Sequence, residues 1–282
     1  VEAVRIKQDV RRSLTNLKHE WETCRRCSLG VYREDVGGSF VFGEGSPGGI
    51  MFIGEGPGKD EEEAGRPFIG DTGQFLRKRL ELIGLDKRNY YLANAVCCRS
   101  WKFQYDGEGK QRFERGGAPT RTDEEPLPAQ REACRERLLQ QIYIVDPVLI
   151  VTLGVAASET LIGKAVGIQA ESGKMLQVTI PGAGWLPDKT SKGTWVRRDG
   201  SLPVVQNQVV YNLMPLIHPS FAIRNWPDKR KEAPMPLFMH GLRRARDIYF
   251  KYMQEAYGES MLVPEGDDES HDWDSYEEEN GQ

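Results

Sequence analysis

Three groups of residues in this 282-residue chain have the types and spacing that chemistry requires. The first is Gly54-Glu55-Gly56-Pro57-Gly58, which follows the apolar run Ile50 to Ile53 and precedes Gly65-Arg66-Pro67-Phe68. A strand that ends in such a loop leaves backbone N–H groups free at the carboxyl edge of a sheet, where open α/β folds bind ligands. Its glycines let a ligand approach the main chain closely. No Gly-Lys-Ser/Thr follows, so the loop is not a P-loop, and taken alone it is equally an ordinary strand-to-helix turn. The second group is His218-Pro219-Ser220, directly after the apolar run YNLMPLI. A single histidine there reads as structural. Two strand-end loops that reach the same edge favour a site. The third is Cys24-x-x-Cys27 with Cys97, Cys98 and Cys134. Two paired and two single thiolates can hold zinc or an iron–sulfur cluster, and spacing does not separate these. Five cysteines without an apolar leader argue against a disulfide framework.

The elements that must position these groups follow from periodicity. Strands are expected over 50–53, 90–96, 148–153 and 209–217, and helices over 4–20, 72–83, 131–145, 155–162 and 237–257. Strands alternating with helices predict an α/β fold, a three-layer α/β/α sandwich with a central, mostly parallel sheet. Residues 1–258 are expected to form one domain, with insertions near 101–128 and 163–208 that carry no clear period. Residues 259–282 read as an acidic, disordered tail. Nine acids and no Lys or Arg lie between Glu265 and Gln282, so without them the net charge changes from -4 to +5. A mildly basic body is compatible with a DNA partner. No apolar run reaches membrane-spanning length and the N-terminus lacks a secretory leader, so the expected location is cytoplasmic, at the nucleoid.

Five stretches, in order from Cys24 to Asn225, carry a resemblance: CRRC, GEGPGKDEEEAGRPFIGDTGQFL, YLANAVCCRS, the CRERLLQQI…DPVLIVTLG run and IHPSFAIRN. Together they resemble the family 4 uracil-DNA glycosylases, the iron–sulfur branch of that superfamily. The resemblance implies hydrolysis of the N-glycosidic bond of uracil in DNA, leaving an abasic site for base excision repair, by a monomer. It implies a structural 4Fe–4S cluster on Cys24, Cys27, Cys98 and Cys134, with Cys97 a neighbour that does not ligate. Asn94 and Phe68 would recognise the base, and Ser220 would lie near the DNA backbone. Glu55 is the leading candidate for the carboxylate that serves the sugar cation and the attacking water, and Glu61 the second. Neutral His218 and the Gly56 N–H would face O2 of the departing base.

The chemistry agrees with these assignments. An Asn amide accepts from uracil N3–H and donates to O4, whereas cytosine presents the reverse pattern. An aromatic ring can stack on a base swung out of the duplex. Glu62 and Glu63, in the same acidic run as Glu61, are expected to be solvated. The basic segment from Arg224 to Lys251 reads equally well as a phosphate track and as a solvated helix face. Both insertions flank the expected DNA-facing edge. They leave open a modified base such as hypoxanthine or a 5-substituted uracil, a non-catalytic DNA-binding or replication module that keeps the fold, and a zinc protein of other function.

Overall fold

The computed structural model describes residues 2–113, 120–181, 208–226 and 233–257. In chain order its strands are β1 (Glu44–Gly45), β2 (Ile50–Gly54), β3 (Tyr90–Asn94), β4 (Trp101–Phe103), β5 (Arg121–Asp123), β6 (Leu149–Leu153), β7 (Leu176–Pro181) and β8 (Gln208–Leu216). Its helices are α1 (Glu2–Trp21), α2 (Ser28–Asp35), α3 (Lys59–Ala64), α4 (Asp71–Leu82), α5 (Pro128–Val145), α6 (Val155–Ile162), α7 (Ile168–Glu171), α8 (Pro219–Arg224) and α9 (Pro234–Tyr257). The main sheet runs β1-β3-β2-β6-β8-β7. Its four central strands are parallel, as expected, and both edge strands are antiparallel.

Strands β2, β3 and β6, and β8 from Leu213 onward, are buried throughout because both faces of the sheet are covered there, while the first half of β8 is partly exposed. Ile50 and Phe52 share a core cluster with α4, α8 and α9 through Leu76, Leu80, Ala222, Phe238 and Leu242. Met51 and Ile53, pointing the opposite way, pack against α5 and α6 through Leu138, Ile142 and Ala157. This two-sided burial is the three-layer sandwich that the alternation predicted. A third apolar cluster, around Leu17, Trp21, Phe40, Phe42 and Val96, joins α1 and the loop before β1 to the body.

The two stretches read as insertions differ from the expectation. Residues 176–181 are not an excursion but the edge strand β7, paired with β8 from Leu176↔Leu213 to Pro181↔Gln208. Residues 101–123 contain a separate antiparallel pair, β4 with β5, in the register Trp101↔Asp123 to Phe103↔Arg121. The strand expected to reach Val96 ends at Asn94, because the Ala95 and Val96 amides turn to the carbonyls of Gly54 and Glu55. Helix α9 starts at Pro234, ahead of the expected Leu237; proline suits a helix's first turn, where its missing N–H costs nothing. The rest of the second stretch, 182–207, and the acidic tail lie outside the described residues. No helix among the described residues is long and apolar enough to cross a membrane.

Candidate active site

Strands β2 and β3 end side by side, with Gly54 paired to Asn94, so the loops that follow them share one edge. Strand β8 delivers His218 to the same edge. There a cavity of about 530 Å³ is lined by Glu55, Gly56, Glu61, Phe68, Asn94, His218 and Ser220, which are all the non-cysteine site residues expected from the sequence.

Gly54 lies where the Asn94 amide and the Phe68 ring meet. A Cβ at this position would stand 2.5 Å from Asn94 Oδ1 and 2.8 Å from Phe68 Cζ, so the absent side chain lets the amide and the ring come together. Phe68 is held in the left-handed backbone region at φ 57°, which is costly for a non-glycine residue. Several contacts enforce it. Arg77 Nε donates to the Phe68 carbonyl (2.9 Å) and Arg77 Nη2 to the Pro67 carbonyl (3.0 Å). Arg77 is itself anchored on Glu44, and α4 packs so closely that a Cβ at Gly73 would strike the Phe68 backbone. Gly54→Ala is therefore expected to fold while losing roughly 100-fold in kcat/KM, because displacement of the ring or amide by about 1 Å ruins the pocket. Steady-state kinetics beside a melting curve checks this, and an alanine variant with wild-type kinetics refutes the steric account.

The two candidate carboxylates have different surroundings. Both oxygens of Glu61 are occupied: Oε1 accepts from the Ile69 and Gly70 amides (2.9 Å each) and Oε2 from the Gly58 amide (3.1 Å). Glu61 thus caps α3 and ties the Gly54–Gly58 loop to the Phe68 loop. Glu55 instead lies against the start of α6, near the glycine turn at Gly154 and the Ala156 amide. Burial, and then the charge of Glu125, push its carboxyl up to about 7, against the opposing pull of the Ala156 amide and Arg131. Glu55 therefore changes charge near neutral pH, as a general base should.

His218 caps α8, and its Nδ1 accepts from the Ser220 amide (3.2 Å) and meets Ser220 Oγ at 2.7 Å. Burial, and then the Arg224 charge, lower its pKa to about 4. The ring is neutral at pH 7, and with Nδ1 accepting the amide its proton resides on Nε2, available as a donor. Among the described residues no protein acceptor takes the Gly56 amide.

Several features were not expected from the sequence. Glu62 is buried and pairs with Arg99 (3.5 Å) and Arg121 (3.8 Å), which corrects the expectation that it is solvated. Glu63 is exposed beside Lys59, as expected. The β4–β5 pair contributes Asp123 to the cavity wall, followed by Glu124, Glu125 and Pro126. The alternation Trp101-Lys102-Phe103-Gln104-Tyr105 is a strand signal that would have revealed this pair. In the basic segment, Arg224 lines the cavity, while Arg246 pairs with Asp247 and Lys251 with Glu255. Lys229, Arg230 and Lys231 lie outside the described residues.

The five cysteines converge beside the segment that follows β3, a few residues beyond Asn94. All line one small cavity with Trp21, Phe40 and Val96, and none forms a disulfide. Cys24 and Cys27 come from the turn before α2, Cys97 and Cys98 from the chain after β3, and Cys134 from α5. Cys98 is within electrostatic range of Cys24, Cys27 and Cys134, whereas fully buried Cys97 faces Cys134 and Cys98. Among the described residues no three Cys, His or carboxylate side chains close around a single-ion position.

Comparison with known proteins adds to this geometry. Residues 42–238 match the model of the uracil DNA glycosylase superfamily. A type-4 uracil-DNA glycosylase of Thermotoga maritima is 30% identical over 204 residues, covering 72% of this chain and 79% of that protein. One from Pyrobaculum aerophilum is 34% identical over 167 residues, 57% of this chain and 72% of that protein. One from Sulfurisphaera tokodaii is 33% identical over 154 residues, 54% of this chain and 59% of that protein.

Proposed function

We propose, since the chain belongs to the uracil DNA glycosylase superfamily, that it is a hydrolytic DNA glycosylase that releases uracil and leaves an abasic site for base excision repair. The observation that carries this reading is the convergence of Glu55, Phe68, Asn94 and His218 on one cavity at the ends of β2, β3 and β8. The uracil leaves the base stack and enters this cavity. Phe68 stacks on its face, and the Asn94 amide accepts from N3–H and donates to O4. Cleavage of the bond between base N1 and sugar C1′ leaves the electron pair on the base and positive charge on the sugar. Neutral His218, through Nε2–H, and the Gly56 amide stabilise the negative charge that develops at O2. Ionised Glu55 balances the sugar cation and takes a proton from the water that attacks C1′. Glu61 serves the same step indirectly: with both oxygens held by amides, it positions the two loops rather than the water. Ser220 holds the His218 ring through Nδ1 at the DNA-facing rim.

The cysteine set fits a 4Fe–4S cluster held by Cys24, Cys27, Cys98 and Cys134. Thiols from three segments line one apolar cavity, and Cys98, unlike Cys97, faces the other three. When bound, the cluster supplies structural cross-linking of the α2 turn to β3 and α5. We assign residues 1–258 to the catalytic domain.

The test is base release from oligonucleotides carrying uracil, hypoxanthine, 5-substituted uracils or normal bases. Free uracil should appear with the wild type, and Asn94→Ala should lose about 10⁴-fold in discrimination of uracil from cytosine. Binding without release of any base would support a non-catalytic module instead. The hypoxanthine and 5-substituted arms matter because the β4–β5 pair lines the cavity wall.

A further inference from the structure

Helix α5 carries a charged residue that the reaction does not use. Arg137 is fully buried, at 0% exposure, and is the largest such side chain among the described residues. Its Nη2 donates to the Asn94 carbonyl (2.8 Å) and the Ala95 carbonyl (2.7 Å), and lies 3.6 Å from Cys134 Sγ. Its Nη1 donates to Gln141 Oε1 (2.6 Å), and Gln141 in turn donates to the Tyr91 hydroxyl (3.0 Å). Every oxygen on this list is neutral. Among the described residues no carboxylate is in ion-pair contact with Arg137, and its Nε has no hydrogen-bond partner. A buried guanidinium without an anion is strongly disfavoured. The groups beside it that can carry negative charge are cysteines: Cys97 and Cys134 both act on the guanidinium, and the Cys134 sulfur lies 3.6 Å from the same Nη2 that holds the Asn94 and Ala95 carbonyls.

We propose that Arg137 is a positioning residue that couples the iron–sulfur cluster to the uracil pocket: the anionic sulfur shell of the cluster is its counter-charge, and its Nη2, with Nη1 braced on Gln141, holds the Asn94–Ala95 main chain in the register that reads the base. The inference rests on the cluster and glycosylase reading above. It extends it, because the cluster then has a role inside base recognition in addition to tying the N-terminal segment down. The chain of contacts is short. Cys134 and Arg137 stand one helical turn apart on α5, so both present to the same side, where the chain leaves β3. The Asn94 carbonyl held by Arg137 belongs to the residue whose amide reads the base. Loss of the cluster leaves the guanidinium without its anion and removes the reason for it to stay between β3 and α5. Lysine keeps a charge but not the planar fork, so the charge and the grip are separable by substitution.

The experiment compares wild type, Arg137→Lys and Arg137→Gln, each purified with its iron and sulfide measured. Three readings are taken: the cluster's reduction potential by film voltammetry, KM and kcat on a uracil oligonucleotide, and binding of free uracil. Arg137→Gln removes a positive charge beside the cluster, so its potential should shift to more negative values. Arg137→Lys should stay close to the wild-type potential. Both should raise KM and weaken uracil binding by roughly 10- to 100-fold, the usual effect of losing a partner behind a ligand, with a smaller change in kcat. If the glutamine variant proves too unstable to purify, the lysine variant alone still decides: wild-type KM and uracil affinity in it overturn the proposal. An unchanged potential in Arg137→Gln also overturns it. A wild-type protein without iron overturns the cluster reading itself, and iron-loaded protein that releases no uracil overturns the glycosylase reading. These two failures are therefore distinguishable from that of the coupling.

Discussion

Glu55→Gln is expected to lower kcat/KM for uracil release by about 10²- to 10⁴-fold, the usual contribution of a positioned base. The amide keeps the shape of the side chain and can still meet the Ala156 amide region, so the loss reports charge and proton acceptance rather than packing. The pH dependence gives the sharper check. Glu55 is held at about 7 by burial and by Glu125, and only its ionised form serves the reaction. Wild-type kcat/KM should therefore rise with pH through an acidic limb near 7 and level off above it, and that limb should vanish in Glu55→Gln. Glu125→Gln removes the charge that is the second cause of the shift. Its limb should move to lower pH, giving a variant more active than wild type in mild acid. A wild-type profile that is flat between pH 5 and 8 would remove Glu55 from the base role.

His218→Ala should lower kcat by about 10²- to 10³-fold, the scale for losing one donor to a developing anion. KM should change little, because the ring acts on charge that exists only in the transition state. Burial and Arg224 keep its pKa near 4, so the wild-type histidine contributes no limb of its own around neutrality. Single-turnover measurements across pH would separate the two residues, with Glu55 setting the shape of the profile and His218 only its height. A His218→Ala variant whose deficit lies in KM alone would argue that the ring binds uracil rather than stabilising the leaving anion.

Much of this arrangement was legible without coordinates. The runs expected as strands at 50–53, 90–96, 148–153 and 209–217 form the parallel centre of the sheet, with ends shifted by one or two residues, because a strand covered on both faces is apolar where it is buried. The loops that end them then had to share one edge. The Gly54–Gly58 loop and His218 follow from that, whereas Asn94 and the role expected of Glu55 came from the family resemblance. The edge strands were less legible. β1 has only two residues, and its pairing with β3 is a tertiary event. The alternation of Leu176, Val178 and Ile180 in β7 was present in the sequence, but it lies in a stretch that otherwise reads as turns.

The sequence by itself determined which residue types reach the carboxyl edge and in what order, since patterning and chain connectivity specify that without distances. Only the tertiary structure decided what each group does there. Glu55 and Glu61 are both acidic residues near one loop. They differ because three backbone amides occupy one of them, while burial beside another carboxylate lifts the other's pKa. Glu62 looked solvated until Arg99 and Arg121, distant in sequence, were found to neutralise it. Nothing in the sequence singles out Arg137, which the fold places between Cys134 and the main chain at the end of β3. Charge and hydrogen-bond partners come from segments far apart along the chain, so the work a titratable group does is settled only when those segments meet.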